Sequence, residues 1–309
     1  NEEVINLDQN TKLSILLRSV TQLTNTYPGF VGDEKEPAVS NLKDELISVI
    51  VDQDKVGSLA HTLSMFSNSY YSIRNLWSTD MWRVFDSIHQ IWDPIINEDI
   101  KLLSYKKLIK VLDKLITRLI AFMGLIEESI LVDQGLLLYF IGLNLERVIL
   151  NVSNFQSMLT VVTEDYIEYE ILEAMLHSHE SLNIYRYSYR SYININSVIS
   201  LILLDTKYAR SLTYLVRRLK KDIAHLPHSK VKGALQDYEK PIFEAFSKLR
   251  LASVTDLVDV SEENRYLRYK LNKLLTELNV LLYATSKAIS DTYFNHVDDQ
   301  SQLSRQKFS

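Results

Sequence analysis

The chain has 309 residues, 46% of them hydrophobic, with only 7 glycines and 5 prolines, so it can bury a large core and is built of long regular elements with few turns. Its 34 basic and 39 acidic residues leave a net charge of −5, which lacks the basic, clustered footprint of a nucleic-acid surface. The absence of cysteine excludes disulfides and thiolate metal sites and fits a reducing compartment.

Taken in order, the periodicity predicts helices and no strand. The first spans about Val4–Thr26, with Leu13, Leu16, Leu17 and Val20 on one face, and ends at the breaker Tyr27-Pro28-Gly29. After the acidic loop Val31–Pro37 comes a helix over Val39–Val51, then the connector Asp52–Gly57. Ser58 is placed to cap a helix over Leu59–Trp77. Ser78-Thr79-Asp80 starts the next, which carries Met81, Trp82, Phe85, Ile88 and Trp92 and is closed by Pro94. Asp99–Ile130 reads as a long amphipathic helix.

Gln134–Asn154 is the stretch around which the rest is organised. It is apolar on nearly every face, from Leu136 to Leu150, and a helix apolar all round is buried. Glu146 and Arg147 stand side by side in its middle. In a buried helix such groups need partners, because removing one member of a buried pair costs about 3–5 kcal/mol. The pair is either an internal ion pair that sets helix register or a functional polar centre.

Helices over Tyr166–His179 and Glu180–Asn194 follow, and Val198–Leu204 leads into the connector Asp205–Arg210. Ser211–Leu226 is a basic-faced helix ended by Pro227, Val231–Leu251 is interrupted near Pro241, and Ser261-Glu262-Glu263 opens the last helix, Glu263–Phe294. The polar tail after His296 frays. No secretory signal is recognisable, and the apolar runs Leu136–Leu143 and Val198–Leu204 fall short of a membrane span, so a soluble, cytoplasmic protein with no membrane partner is expected. The chain starts at Asn1, as expected of a piece cut from a longer chain or a start that was processed.

Two segments repeat. Val51–Leu59 and Leu204–Leu212 each run from an aliphatic stretch through an Asp and a short connector to Ser-Leu at a helix start. This predicts one all-α domain over residues 1–309 made of two related halves, about 1–130 and 131–296, with a tail over 297–309 and a pseudo-twofold internal duplication. Asp8 and Gln9 would then lie opposite Glu146 and Arg147. Among side-chain constellations, His177-Ser178-His179 is a poor metal site because positions i and i+2 do not share a helix face. Asp165, Glu168, Glu170 and Glu173 read as a solvated face. Tyr185 and Tyr189, with Arg186 and Arg190, form i, i+4 stripes suited either to an interface between helices or to carboxylate or phosphate recognition. Arg217, Arg218, Lys220 and Lys221 complement a helix C-terminus. Phosphate loops, nucleophile elbows and zinc-spaced clusters are absent, and no cofactor or metal is expected.

These residues resemble the alpha-E domain family of bacterial all-helical proteins. The likeness rests on Leu143-Asn144-Leu145-Glu146-Arg147, approached through Phe140-Ile141-Gly142, and on Leu203-Leu204-Asp205 with Arg210-Ser211-Leu212, where Ala209 stands in place of the usual Pro. It extends to Ser78-Thr79-Asp80-Met81-Trp82 and Tyr293-Phe294-Asn295-His296. The family's first Glu-Arg is replaced here by Asp8-Gln9, which removes the basis for a symmetric two-site chemistry, and Leu16-Leu17-Arg18-Ser19-Val20 is closer to fused members, so the C-terminal part of a fusion is expected. The resemblance implies an accessory or scaffold domain beside a circularly permuted ATP-grasp protein, and near transglutaminase-like proteins, in a peptide ligation or modification system. It would bind a peptide or the ligase, with Asp8, Tyr185, Arg186, Tyr189, Asp205, Arg210 and Ser211 as binding residues. The alternative is an enzyme of the same system, with Glu146 as general acid or base and Arg147 as anion binder.

Overall fold

The computed structural model describes residues 12–24, 42–99, 102–131, 133–190, 192–227, 234–260 and 265–294. Asp8 and Gln9, the breaker at Tyr27-Pro28-Gly29, the loop Val31–Pro37, Ser261–Glu263 and the tail after His296 lie outside them. The described residues are helical, with no strand and a single isolated bridge between Val161 and Leu267. The chain divides into two compact units, Asn1–Leu136 and Leu137–Ser309.

The first unit holds α1 (Lys12–Thr24), α2 (Leu42–Val51), α3 (Leu59–Ser72), α4 (Thr79–Ile96) and α5 (Tyr105–Ser129). Serines begin three of these helices: the hydroxyls of Ser58, Ser78 and Ser104 accept from the backbone N–H of His61 (3.0 Å), Met81 (3.3 Å) and Lys107 (3.3 Å). Each satisfies one of the donors that a helix start leaves over. The core is aromatic. Tyr70 is buried with its ring stacked on Phe85 (3.6 Å) and Trp77 (4.8 Å) and met edge-on by Trp82 (4.8 Å). Burial, with Asp86 second, pushes its phenol up to about 12. Pro94 does not close its helix as expected, because α4 runs through it to Ile96. So near the C-terminus a proline forfeits only the bond to one carbonyl, and the buried Trp92 and Ile95 hold the turn in the core.

The second unit takes most of α6 (Gln134–Leu159), then α7 (Asp165–Ser178), α8 (Leu182–Tyr189), α9 (Ile195–Ile199) with a π-helical turn at Ser200–Leu204, α10 (Leu212–Ile223), α11 (Glu239–Leu251), α12 (Val254–Val258) and α13 (Tyr269–Tyr293). Helix α11 packs against both α10 and α13. Pro241 stands in the first turn of α11, where its missing N–H is no loss, so it helps begin this helix rather than interrupting it. Gln156 ties α6 to α13 by donating to Asn272 (3.0 Å) and Thr276 (2.9 Å).

Helix α6 departs from expectation. It is covered on one side, with Ile141, Leu145, Val148, Val152 and Phe155 buried and Asn144 and Ile149 flanking them, while Glu146, Arg147 and Leu150 are exposed. The expectation that the Glu-Arg pair is buried, with a charge-assisted bond to each member, is overturned. Composition made α6 look covered on all sides, but packing covers only the side that faces the unit's core. At 26 residues α6 is, by length and composition alone, long and apolar enough to cross a membrane, although its unbroken apolar run is short. A buried ion pair does exist, elsewhere. Arg268, 4% exposed, pairs with Glu168 and donates to the backbone carbonyls of Leu159 (3.1 Å) and Val161 (2.9 Å). Glu168 is therefore part of a buried pair and does not belong to a wholly solvated acidic face.

Candidate anion-binding site

The repeated Asp-to-Ser connectors fold into the same hydrogen-bonded loop. In the second unit the Asp205 carboxylate accepts from the N–H of Lys207 (2.6 Å) and Tyr208 (2.8 Å). The Ser211 N–H donates to the Tyr208 carbonyl (3.0 Å), and its hydroxyl donates to the Asp205 carbonyl and accepts from Tyr214 N–H (3.1 Å). In the first unit Asp52 accepts from Asp54 N–H (3.0 Å), Ser58 N–H donates to Lys55 (3.0 Å), and the Ser58 hydroxyl donates to the Asp52 carbonyl while capping α3. The side chains of Asp205 and Ser211, expected as binding residues, are thus spent on holding the loop. The two loops share their Asp and Ser ends and differ at the five residues between, most consequentially at the last of them. Where the second carries Arg210, the first has Gly57 at φ +90°, and a Cβ there would fall 1.6 Å from the Thr24 carbonyl oxygen. Only glycine fits that approach.

Arg210 is exposed at the tip of its loop and donates to the carbonyl of His179 (3.3 Å) at the C-terminus of α7, where a cation complements the helix dipole. A second tie joins the same two segments, Ser181 to the Tyr208 hydroxyl at 2.8 Å. His179 itself is buried, its ring 5.4 Å from Phe155 of α6 and its Nδ1 3.2 Å from the Ser181 hydroxyl. Burial first, then the Arg210 charge and more weakly that of Arg147, depress it from the ordinary 6.5 to about 4, so it stays neutral near pH 7.

Arg147, from α6, joins this cluster. Desolvation lowers its affinity for its proton, and the guanidiniums of Arg210 and Arg218 lower it further. Arg218 reaches Asp222 at only 3.9 Å. Two other cations of α10 turn to aromatic rings, Arg217 over Tyr214 (4.9 Å) and Lys220 over Phe243 (5.1 Å) and Phe246 (4.7 Å). Arg147 thus feels the charges of both Arg210 and Arg218, and Arg210 and Arg147 both act on the neutral His179 imidazole; guanidinium is the group that matches carboxylate and phosphate by paired hydrogen bonds. Sequence reasoning placed Arg147 and Arg210 here. It missed His179 and Arg218, whose roles depend on which helices meet and have no local signal.

The tyrosine stripe falls on the bland side of its two readings. Tyr185 is fully buried, stacked on Tyr189 (5.1 Å), with its hydroxyl donating to the Tyr192 carbonyl (3.1 Å) and accepting from Asn194 N–H (3.3 Å). Arg186 is exposed and faces Glu173 at 4.0 Å.

A family profile, Alpha-E, described as a predicted alpha-helical domain with a conserved ER motif, matches residues 3–294. The chain is 26% identical over 296 residues to an uncharacterized protein of Mycobacterium tuberculosis strain H37Rv, Rv2567, covering 92% of this chain and 32% of that protein. An uncharacterized protein of Mycobacterium bovis, Mb2597, matches with the same identity and coverage. The chain therefore spans about a third of the length of the curated relatives it matches. No solved structure gives a significant match.

Proposed function

Because the chain belongs to the Alpha-E family, we propose that it is a helical accessory domain of an ATP-grasp peptide ligation or modification system, and that Arg147, Arg210 and Arg218 grip an anionic group of its peptide substrate or product. The observation that carries this reading is that the charges of Arg210 and Arg218 both bear on Arg147, with Arg218 3.9 Å from the Asp222 carboxylate. The partner is a circularly permuted ATP-grasp protein in the cytoplasm, with a transglutaminase-like protein as a further member of the system. The two matching Asp-to-Ser loops support a duplication of the whole fold about a pseudo-twofold axis, in which only the second copy keeps the arginine. The test is calorimetric titration with short peptides bearing a free or an amidated C-terminus, with and without the ATP-grasp protein. Binding that needs the free carboxylate and drops at least tenfold in Arg147→Met supports the reading. Equal affinity for both peptides overturns it.

An enzymatic reading draws on a different observation: Glu146 is exposed beside Arg147, so a substrate can reach it as a general acid or base. Turnover by this chain alone, lost in Glu146→Gln, would favour it over the accessory role.

A further inference from the structure

We propose that Ser67, His89 and Asp93 form a nucleophilic triad in the first unit that cleaves esters of short apolar acyl groups. His89 and Asp93 stand four residues apart on α4, so they share a face, and Nδ1 of the imidazole lies 3.2 Å from the Asp93 carboxylate. That contact places the proton on Nδ1 and leaves Nε2 as an acceptor. Nε2 lies 3.2 Å from the Ser67 hydroxyl on α3. The ring is held edge-on against Phe85 at 4.7 Å. A nucleophile touching a base that is oriented by a carboxylate is recognised by this geometry and by no fixed order or spacing in the sequence.

The arrangement opens into space a substrate can use. A cavity of about 140 Å³ is lined by Ser67, His89 and Asp93 together with Leu63, Ile88 and Trp92. Gln53 and Asn68 line the same cavity, and their side-chain amides are the donors we assign to a developing oxyanion. A broader cleft of about 680 Å³ shares His89 and Asp93 and runs past Tyr71, Gln90 and Asn97, giving room for the leaving group. The small apolar cavity fits a short acyl chain. At rest the Ser67 hydroxyl has two acceptors in reach, Nε2 and the Leu63 carbonyl at 2.8 Å, and turning from the second to the first prepares attack.

In the reaction Ser67 Oγ adds to the ester carbonyl carbon and its proton passes to His89 Nε2. Collapse breaks the bond to the alkoxide, which takes that proton and leaves an acyl-serine. Water then adds to the acyl carbon, giving a proton to Nε2. The proton returns to Ser67 Oγ as the carboxylic acid departs.

The test uses the full chain with p-nitrophenyl butyrate and, separately, a fluorophosphonate followed by peptide mapping. The expected result is a phosphonyl adduct on Ser67 and ester hydrolysis that falls on the order of 100-fold in Ser67→Ala and His89→Gln. Asp93→Asn changes an exposed side chain, so a slower rate there, with an unchanged circular dichroism spectrum, separates lost catalysis from lost folding. Ser69→Ala, at an exposed serine of α3 that bonds to the Met65 carbonyl of its own helix (3.0 Å), leaves the rate and the labelling as they were. Absence of the adduct from Ser67, or hydrolysis and labelling unchanged in His89→Gln, overturns the proposal.

Discussion

Arg268→Met should be the most damaging single change in the second unit. The guanidinium is 4% exposed and has three partners: the Glu168 carboxylate and the carbonyls of Leu159 and Val161. Methionine keeps much of the apolar stem and removes all three. Breaking a buried pair costs about 3–5 kcal/mol, and here the Glu168 side chain keeps 22% exposure, so water recovers part of that loss. The two carbonyls left without donors add roughly 1 kcal/mol each where water cannot reach them. The sum is about 4 kcal/mol. Glu168→Gln keeps a neutral acceptor and both carbonyl bonds, so it should cost about 1–2 kcal/mol. Urea unfolding followed by far-ultraviolet circular dichroism measures both. A loss below about 1 kcal/mol for Arg268→Met, with the slope unchanged, would show that the buried pair does not hold the α6–α7 corner to the start of α13.

His179 binds its proton in the folded state only near pH 4, against 6.5 when unfolded, so the unfolded chain holds more protons between these values. Stability is therefore unaffected above about pH 7 and falls as pH drops from 6.5 toward 4, by on the order of 3 kcal/mol, a dependence that His179→Gln should flatten in melts across that range. Ser58→Ala and Ser211→Ala each remove a cap and the bond closing an Asp loop. Both should cost about 1–2 kcal/mol by urea titration, and no loss in one of them would mean its loop is held by other contacts. Gly57→Ala forces a Cβ against the Thr24 carbonyl at positive φ and should cost about 2 kcal/mol or more, read as a lowered melting temperature.

What was legible in the sequence was what carries its own local signal. Ser58, Ser78 and Ser211 were readable as helix starts because a cap is a matter of a few adjacent residues. The resemblance of Leu203-Leu204-Asp205 with Arg210-Ser211-Leu212 to a family pattern led to Arg210 without any knowledge of packing. Pro94 and Pro241 were misread because the cost of a proline depends on which turn it occupies. Helix α6 was misread because composition does not say which stripe is covered. The true buried pair joins residues 100 positions apart, and the repulsion that marks Arg147 comes from Arg210, in the loop before α10, and from Arg218 on α10. The contact of Ser67 with His89 joins two helices and leaves no trace in spacing.

The aromatic core of the first unit has a practical consequence. The chain's three tryptophans, Trp77, Trp82 and Trp92, all fall in that unit, and the second unit carries tyrosines and phenylalanines but no tryptophan. Emission excited at the red edge is therefore a reporter for one unit, while backbone ellipticity sums both. Overlaid melts of the two signals would show directly whether the units come apart in one cooperative event. The buried Arg268 pair, sitting where no tryptophan does, could be lost without the fluorescence registering it.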